Sequence, residues 1–415
     1  MGQRAAKQQI EKGLKLYNST HQDRAVRTWK AALARVGEKR RRLRFVLLGH
    51  LALAYGDWGD YREMLGYSIQ QIDIANELDE TELKAEAYLN LARANERLCE
   101  YHKAVSYARH SMNNTVSQED PLVGPIHLCL GNASLGFGHF QQALENFHKA
   151  LRMAVRTGDR GLECNTYGDL AEVYTSLKDY EKALAYSVKA SELVRCRGQE
   201  WSAKLRTVVQ LNLATPYRKL GKMDLAMDNC EEAMKMALQL NDRTIQARCL
   251  CIFADIHRKR GDCERAYPRY ESSLSISVEV GDRLGQLQVL SGMAKTLVMM
   301  KHFEKAVEIN GRALDLATAI GNKMSMLRAH WLMHQLHRAL GNPKTSQQHA
   351  SAFDRYLRDL SLYCGACHEV IGNKQCSLHA MACCHIFHAR CAETSTFKAR
   401  GCPNCKKILT IPIFV

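Results

Sequence analysis

The chain has 415 residues and a formal net charge of +15. This length suits two or three ordinary domains, or one elongated array with a small module. No apolar run approaches the roughly 18 residues of a membrane span, so any membrane contact is expected to be peripheral. Sixteen cysteines without a secretory signal indicate a reduced, cytosolic protein.

Most of the positive charge lies near the amino end. Residues 1–49 contain 13 Lys or Arg against 3 Asp or Glu, which is about two-thirds of the excess. This location argues against nucleic-acid binding and favours an anionic membrane surface, where each basic residue contributes about 1 kcal/mol. The alternative is a solvated helix end. The basic cluster consists of Lys39, Arg40, Arg41, Arg42 and Arg44.

The chain opens with Met1-Gly2, and removal of the initiator would expose the glycine amine that N-myristoylation requires. Ala6 stands where Ser or Thr is usual, which weakens the motif and leaves an unmodified terminus as the alternative. One acyl chain anchors a protein only marginally, so we expect a myristate on Gly2 to act together with the basic cluster.

Residues 8–321 contain an internal repeat with a period of about 40 residues. In each unit a small or apolar residue is followed twelve positions later by another, as in Gly131 and Ala143. Helix-breaking turns lie within the units, as at Gly138, and between them, as at Gly158. Because apolar residues recur at helical spacing on either side of each turn, every unit is predicted to be a helical hairpin.

This pattern resembles the tetratricopeptide repeat, whose usual period is 34 residues. The resemblance implies an all-α superhelix of about eight long hairpins, in which small residues let the paired helices cross closely. We expect an aromatic residue four positions after the second small residue to fill the seam, as at Trp29, Phe147 and Tyr270.

A degenerate ninth hairpin is predicted over residues 322–362. His334 and Ser346 replace the small pair, and Asn342-Pro343 forms the turn. The helix that follows, from about residue 344 to 362, is expected to cap the array, and it could also self-associate as a coiled coil.

The resemblance further implies a concave face lined by the first helix of each hairpin. We expect the residue after each small position of that helix to face inward and to contact a folded partner or loop. The alternative is that these side chains are merely solvated. The predicted groove residues are Arg93, Asn132, Glu172, Thr215, Asp255 and Lys295.

The last 52 residues carry eight of the cysteines. Two pairs of Cys or His residues, each closely spaced but far from the other pair in the sequence, can together supply the four tetrahedral ligands that a zinc ion requires. This segment contains enough such residues for two zinc ions. Cys376 and Cys384 are left over, and Cys384 is the weaker alternative to Cys383 as a ligand. The candidate ligands are Cys364, Cys367, Cys383, His385, His388, Cys391, Cys402 and Cys405.

This spacing resembles that of a RING finger with two central histidines, in which the ligand pairs interleave. The resemblance assigns Cys364, Cys367, His388 and Cys391 to the first zinc ion. It assigns Cys383, His385, Cys402 and Cys405 to the second. Because the segment is too short to bury an adequate core, we expect metal binding and folding to be coupled.

Taken together, the parts resemble the rapsyn family over essentially the whole chain, including the segments Phe253–Arg258 and His385–His388. The resemblance implies a cytoplasmic, lipid-anchored scaffold at the postsynaptic membrane that clusters nicotinic acetylcholine receptors, links them to the cytoskeleton and associates with itself. The expected divisions are a myristoylation segment (1–7), the repeats (8–321), the degenerate hairpin (322–362), the RING finger (363–406) and a tail (407–415).

The alternative function is that of a RING-type ligase for ubiquitin or a related modifier, which needs no catalytic side chain of its own. The RING resemblance implies that Ala366, Pro403 and Lys406 would contact the conjugating enzyme. Pro403 matches active ligases, whereas Ala366 is smaller than usual and Lys406 replaces the usual arginine. The sequence contains no motif of a conventional catalytic site, and scaffolding is preferred as the main role.

Overall fold

The computed structural model describes residues 3–18, 22–117, 119–196, 201–393 and 402–406. Gly2 and the tail 407–415 lie outside these ranges. Within them, eighteen helices pair in chain order as nine hairpins, and a two-stranded sheet and one short helix follow. The predicted fold class is therefore confirmed. None of the described helices is both long and apolar enough to cross a bilayer.

The first eight hairpins are built from helices of 13 to 18 residues. The ninth hairpin, α17 (Lys323–Ala339) and α18 (Pro343–Asp359), precedes strands β1 (Leu378–Ala380) and β2 (Ile386–His388) and helix α19 (Ala389–Ala392). The helices of the first eight hairpins are α1 (Gln3–Asn18), α2 (Gln22–Arg35), α3 (Arg41–Trp58), α4 (Tyr61–Leu78), α5 (Thr81–Arg97), α6 (Tyr101–Asn113), α7 (Val123–Phe137), α8 (Phe140–Thr157), α9 (Arg160–Ser176), α10 (Tyr180–Arg195), α11 (Ala203–Lys219), α12 (Met223–Gln239), α13 (Arg243–Lys259), α14 (Cys263–Glu279), α15 (Arg283–Met299) and α16 (Phe303–Ile320).

The predicted turns adopt a left-handed backbone conformation, with φ of 83° at Gly138 and 65° at Lys178. An acidic side chain then begins the next helix: Asp179 Oδ1 accepts a hydrogen bond from the backbone amide of Lys182 at 3.1 Å. Such a cap stabilises a helix by about 1 kcal/mol. Equivalent caps occur at Asp60, Asp159, Asp242, Asp262, Asp282 and Asn322.

Paired helices cross closely where a small residue faces a buried aromatic ring. A Cβ atom added to Gly131 would lie 2.4 Å from the Phe147 ring, and one added to Gly13 would lie 2.1 Å from the Trp29 indole. Both rings are almost fully buried, as is that of Tyr270. The aromatic residues therefore fill the seams at all three predicted positions.

The array winds tightly enough to bring hairpins four or five units apart into contact. Arg283, at the start of α15, lies 3.6 Å from Glu100, in the turn between α5 and α6. Arg328 of α17 donates a hydrogen bond to the carbonyl oxygen of Ser176 in α9 at 3.0 Å. Helices α7 and α17 also touch. These contacts close the superhelix around a narrow concave interior.

The ninth hairpin crosses at a polar contact. Ser346 Oγ lies 2.9 Å from His334 Nδ1 and donates a hydrogen bond to the His334 carbonyl oxygen at 3.1 Å. Helix α18 begins at Pro343, because proline is well suited to the first turn of a helix, and ends at Asp359. It is therefore three residues shorter at its carboxyl end than predicted.

Replacing Gly131 with alanine tests the close crossing. The added Cβ would clash with the buried Phe147 ring, and overpacking of this kind costs about 1 to 3 kcal/mol, which outweighs the roughly 1 kcal/mol that alanine contributes to a helix. We expect Gly131→Ala to lower the urea midpoint of unfolding.

Gly66→Ala is the matched control, because a Cβ at that helical position meets nothing within 4 Å. This variant is expected to raise the midpoint. Equal midpoints for the two variants would contradict the close crossing.

Candidate metal centre

The cysteine-rich module is shaped by short turns that follow its cysteine pairs. The backbone amide of Cys364 donates to Glu369 O at 2.9 Å, and that of His368 donates to Cys364 O at 2.8 Å. His368 and Lys406 each follow a Cys-x2-Cys pair and have left-handed φ angles of 59° and 56°. The antiparallel strands β1 and β2 lie between the two turns, with Leu378 opposite His388.

The turns and strands bring the predicted ligands together in two sets. Each set contains three thiols and one imidazole, whose ligand atoms all lie within 4.8 Å of one another. The first set is Cys364, Cys367, His388 and Cys391, and the second is Cys383, His385, Cys402 and Cys405. This is the interleaved grouping that the RING resemblance implied.

The geometry of both sets fits zinc. Cys367 Sγ lies 3.3 Å from His388 Nδ1, and Cys383 Sγ lies 3.4 Å from His385 Nδ1. A tetrahedral zinc ion with ordinary bond lengths places sulfur and nitrogen ligands about 3.5 Å apart. Three thiolates and one imidazole form one of the usual donor sets of structural zinc sites.

The leftover cysteines lie outside both sets. Cys384 is buried, and its sulfur lies 3.6 Å from Nδ1 of His148 on α8. Its neighbour Cys383 belongs to the second set, so the preference for Cys383 over Cys384 agrees with the geometry. Cys376 is half-buried and belongs to neither set.

The module is docked onto the repeats through the turn before α10. Asp179 Oδ2 accepts a hydrogen bond from the backbone amide of Leu378 at 2.8 Å, while Oδ1 caps α10. Lys182 Nζ donates to the carbonyl oxygen of Leu378 at 2.7 Å, and Lys178 Nζ donates to that of Asn373 at 2.7 Å. Asp179 and Lys182 therefore hold both polar backbone groups at the start of β1.

An apolar core continues across this junction. Leu177 of the array and Phe387 of the module are fully buried in one cluster, together with Leu360, which follows α18. Neither a docking role for Asp179 nor the docking surface itself was predicted from the sequence. In the sequence near Asp179, the docking surface is indicated only by an acidic capping residue in a turn flanked by apolar residues.

The side chains proposed for conjugating-enzyme contact remain accessible. Ala366, Pro403 and Lys406 are exposed, although the module packs against the array. Docking therefore leaves this part of the module open to a partner protein.

The basic cluster has a mixed environment. Lys39 is exposed and Arg40 is half-buried, while the exposed Arg41 and Arg42 pair with carboxylates of Glu77 and Glu80 at 3.1 and 2.8 Å. The side chain of Arg44 donates to the carbonyl oxygen of Val36 near the end of α2, at 3.2 Å. Arg44 is thus engaged inside the fold, while Lys39, Arg41 and Arg42 are exposed at its surface.

The six predicted groove residues all lie on first helices, from α5 to α15. Glu172 and Lys295 are exposed, while Arg93, Asn132, Thr215 and Asp255 are half-buried. Asp255 is engaged within the protein, because it accepts hydrogen bonds from Arg258 at 2.8 Å and from Tyr270 at 2.7 Å.

Comparison with known proteins identifies the family. The chain is 43% identical over 419 residues to the 43 kDa receptor-associated protein of the synapse of Tetronarce californica, and the alignment covers 100% of both chains. It is 44% identical over 418 residues to the protein of the same name from Gallus gallus, again over 100% of both chains. Residues 1–82 match the rapsyn N-terminal myristoylation and linker region. The chain belongs to the rapsyn family.

Other similarities concern the repeats of this rapsyn-family chain. Residues 123–195 and 250–319 match the tetratricopeptide repeat. The crystal structure of a Rap protein complexed with competence and sporulation factor aligns with a TM-score of 0.61 at 12% identity, covering 86% of this chain and 99% of that one. The crystal structure of NprR in complex with its cognate peptide NprX aligns with a TM-score of 0.55 at 17% identity, covering 72% of this chain and 88% of that one. At such identities these structures establish the repeat fold alone.

Replacing Asp179 with alanine tests the docking contact. The change removes a helix cap and leaves the buried Leu378 amide without its acceptor, at a cost of about 1 to 3 kcal/mol for the amide. We expect trypsin to cleave after Lys374 roughly fivefold faster or more, since cleavage then requires less energy to open the junction.

Asp159→Ala is the control, because Asp159 caps α9 through the Leu162 amide at 2.9 Å and lies outside the module contact. Its cleavage rate at Lys374 should equal that of the unmodified protein. Equal rates in all three proteins would show that the Asp179 contact does not hold the module.

Proposed function

We propose that this chain is a peripheral membrane scaffold at the cytoplasmic face of the postsynaptic membrane, where it clusters nicotinic acetylcholine receptors and links them to the cytoskeleton. The observation that carries the proposal is its end-to-end similarity to two proteins named as receptor-associated proteins of the synapse. The long repeats provide a large surface for partners and for self-association, as in other repeat proteins.

Membrane attachment is proposed to combine a myristate on Gly2 with the exposed part of the basic cluster. The match of residues 1–82 to a myristoylation and linker region supports this. Lys39, Arg41 and Arg42 are exposed and would add electrostatic attraction to anionic lipid. A myristate and a basic cluster together can anchor a protein stably, whereas either one alone holds it to the membrane only marginally.

We further propose that the module holds two zinc ions, one in each ligand set. The ions would join segments from both ends of the module and stabilise a fold that has little core of its own. The residues in contact with the array would then be positioned by metal binding.

Metal analysis tests this proposal. The purified protein should contain two zinc ions per chain, and Cys402→Ser should lose at least one, because it removes a thiolate from the second set. Cys384→Ser should keep both, since Cys384 faces His148. Elemental analysis of the three proteins measures this directly. A zinc content of one or none in the unmodified protein would rule out the two-ion arrangement.

A second candidate function is modifier ligation. It is favoured by the exposure of Ala366, Pro403 and Lys406 on the docked module, because a conjugating enzyme must reach that face. In this alternative, Lys406→Ala with intact zinc would lose modifier transfer but retain receptor clusters.

Co-expression with the acetylcholine receptor in a non-muscle cell distinguishes these functions. We expect surface receptors to change from a diffuse distribution to micrometre patches with the intact chain and to stay diffuse with Gly2→Ala, since that variant lacks the acylated amine. Fluorescence imaging of surface receptor measures the outcome. Diffuse receptors carrying modifier chains would instead favour the ligase function.

A further inference from the structure

Cationic side chains accumulate in the concave interior of the array. They come from four first helices, α11, α13, α15 and α17, which are spread over more than a hundred residues of sequence. The carboxylates of Asp255 and Glu172 lie among them. We call this group the interior cationic cluster, and its members are Arg218, Lys219, Arg258, Lys295 and Arg328.

Arg218 is the most buried member, with 5% of its side chain exposed. Its Nη2 atom lies 2.9 Å from Asp255 Oδ2, but its Nε and Nη1 atoms have no hydrogen-bond partner among the described residues. A buried guanidinium group normally satisfies its N–H donors. Arg218 therefore has donor capacity that the folded chain does not use.

Asp255 cannot neutralise the whole cluster. It already receives hydrogen bonds from Arg258 and Tyr270 and an ion pair from Arg218. Although burial alone would raise the pKa of Asp255, Arg218 and Arg258 hold it below its ordinary value. The carboxylate is thus ionised and both of its oxygens are engaged, so it has none left for Lys219 and Lys295. Glu172 lies near Arg328.

Burial, together with nearby positive charge, disfavours the protonated form of two lysines in the cluster. Burial and the adjacent Arg218 lower the pKa of Lys219 to about 7. Burial also lowers the pKa of Lys295 to about 8, with Arg328 adding to the effect and Asp255 opposing it. Lys295 and Arg328 nevertheless reach solvent within the narrow interior. A ligand could approach them there.

We propose that the interior cationic cluster binds a doubly charged phosphoryl group. The three guanidinium groups exceed the two carboxylates by one positive charge, and Lys219 and Lys295 add to this excess when they are protonated. A dianion offsets such an excess better than a single carboxylate. Guanidinium groups match the oxygen geometry of phosphate. The accessible Lys295 and Arg328 would meet the anion first, and the unused donors of Arg218 lie deeper in the same cluster.

The six groove positions predicted from sequence include three residues at or near this cluster, namely Lys295, Asp255 and Glu172. Arg218, Lys219 and Arg258 were not selected, because they follow the expected inward position of their helix by three or four residues. Arg328 lies on α17, for which no groove position was predicted. The proposal concerns a ligand of the interior and does not depend on receptor clustering.

Thermal unfolding of the full-length, zinc-loaded protein tests the proposal, with inorganic phosphate added at fixed ionic strength against chloride. Phosphate should raise the unfolding temperature in a saturable way. Lys295→Met should weaken phosphate binding about tenfold, the effect expected on loss of one charge-assisted contact. Without phosphate, this variant should be more stable than the unmodified protein, because it removes repulsion.

Lys305→Met is the matched control, since Lys305 is an exposed lysine on α16, the second helix of its hairpin. It should retain the full phosphate response. A response of equal size in the unmodified protein and both variants would reflect a general salt effect and overturn the proposal, as would no response in any of them.

O-phospho-L-serine and serine distinguish the sources of the phosphoryl group. Binding of O-phospho-L-serine more tightly than phosphate would support a phosphorylated side chain as the ligand, and equal binding would support a free anion. Binding of serine as tightly as O-phospho-L-serine would contradict recognition of the phosphoryl group.

Discussion

The close approach of paired helices is the constraint on which this structure depends. Gly131 and Gly13 leave no room for a Cβ beside the Phe147 and Trp29 rings, so the two helices of these hairpins lie close together and the aromatic seam between them is buried. Stacking such hairpins produces a superhelix. Here the winding brings Arg283 to the turn at Glu100, five hairpins earlier. The same closure narrows the concave interior and creates the surface that receives the metal module.

The cysteine-rich module makes extensive contacts with the array. A segment of about forty residues buries too little apolar surface to fold alone, so metal ligands and a docking partner must supply the remaining stability. The array supplies Leu177 to a core shared with Phe387 and holds the start of β1 through Asp179 and Lys182. A scaffold benefits from this arrangement because partners bound to the two parts would keep a fixed separation.

Local spacing made several features predictable from sequence. The turn at Gly138 and the Phe147 seam follow from residues close together in sequence or from a regular period, and the two ligand sets follow from the resemblance to a RING finger. Contacts between distant segments were not predictable. Asp179 and Leu378 are 199 residues apart. The residues of the interior cationic cluster lie on four different helices, so a count of charges along the sequence does not reveal that they come together. Arg44 likewise belonged to a predicted membrane cluster but donates to Val36 within the fold.

We expect the cysteine-rich module and the repeats to form one body through metal-dependent docking. Hydrogen exchange of the unmodified protein, measured across residues 176–183 with and without a zinc chelator, tests this docking. Docking predicts that these amides, which belong to the array and bind no metal, exchange faster once the metal is removed, while α3 and α4 keep their protection. Unchanged exchange at residues 176–183 after complete metal removal would contradict metal-dependent docking.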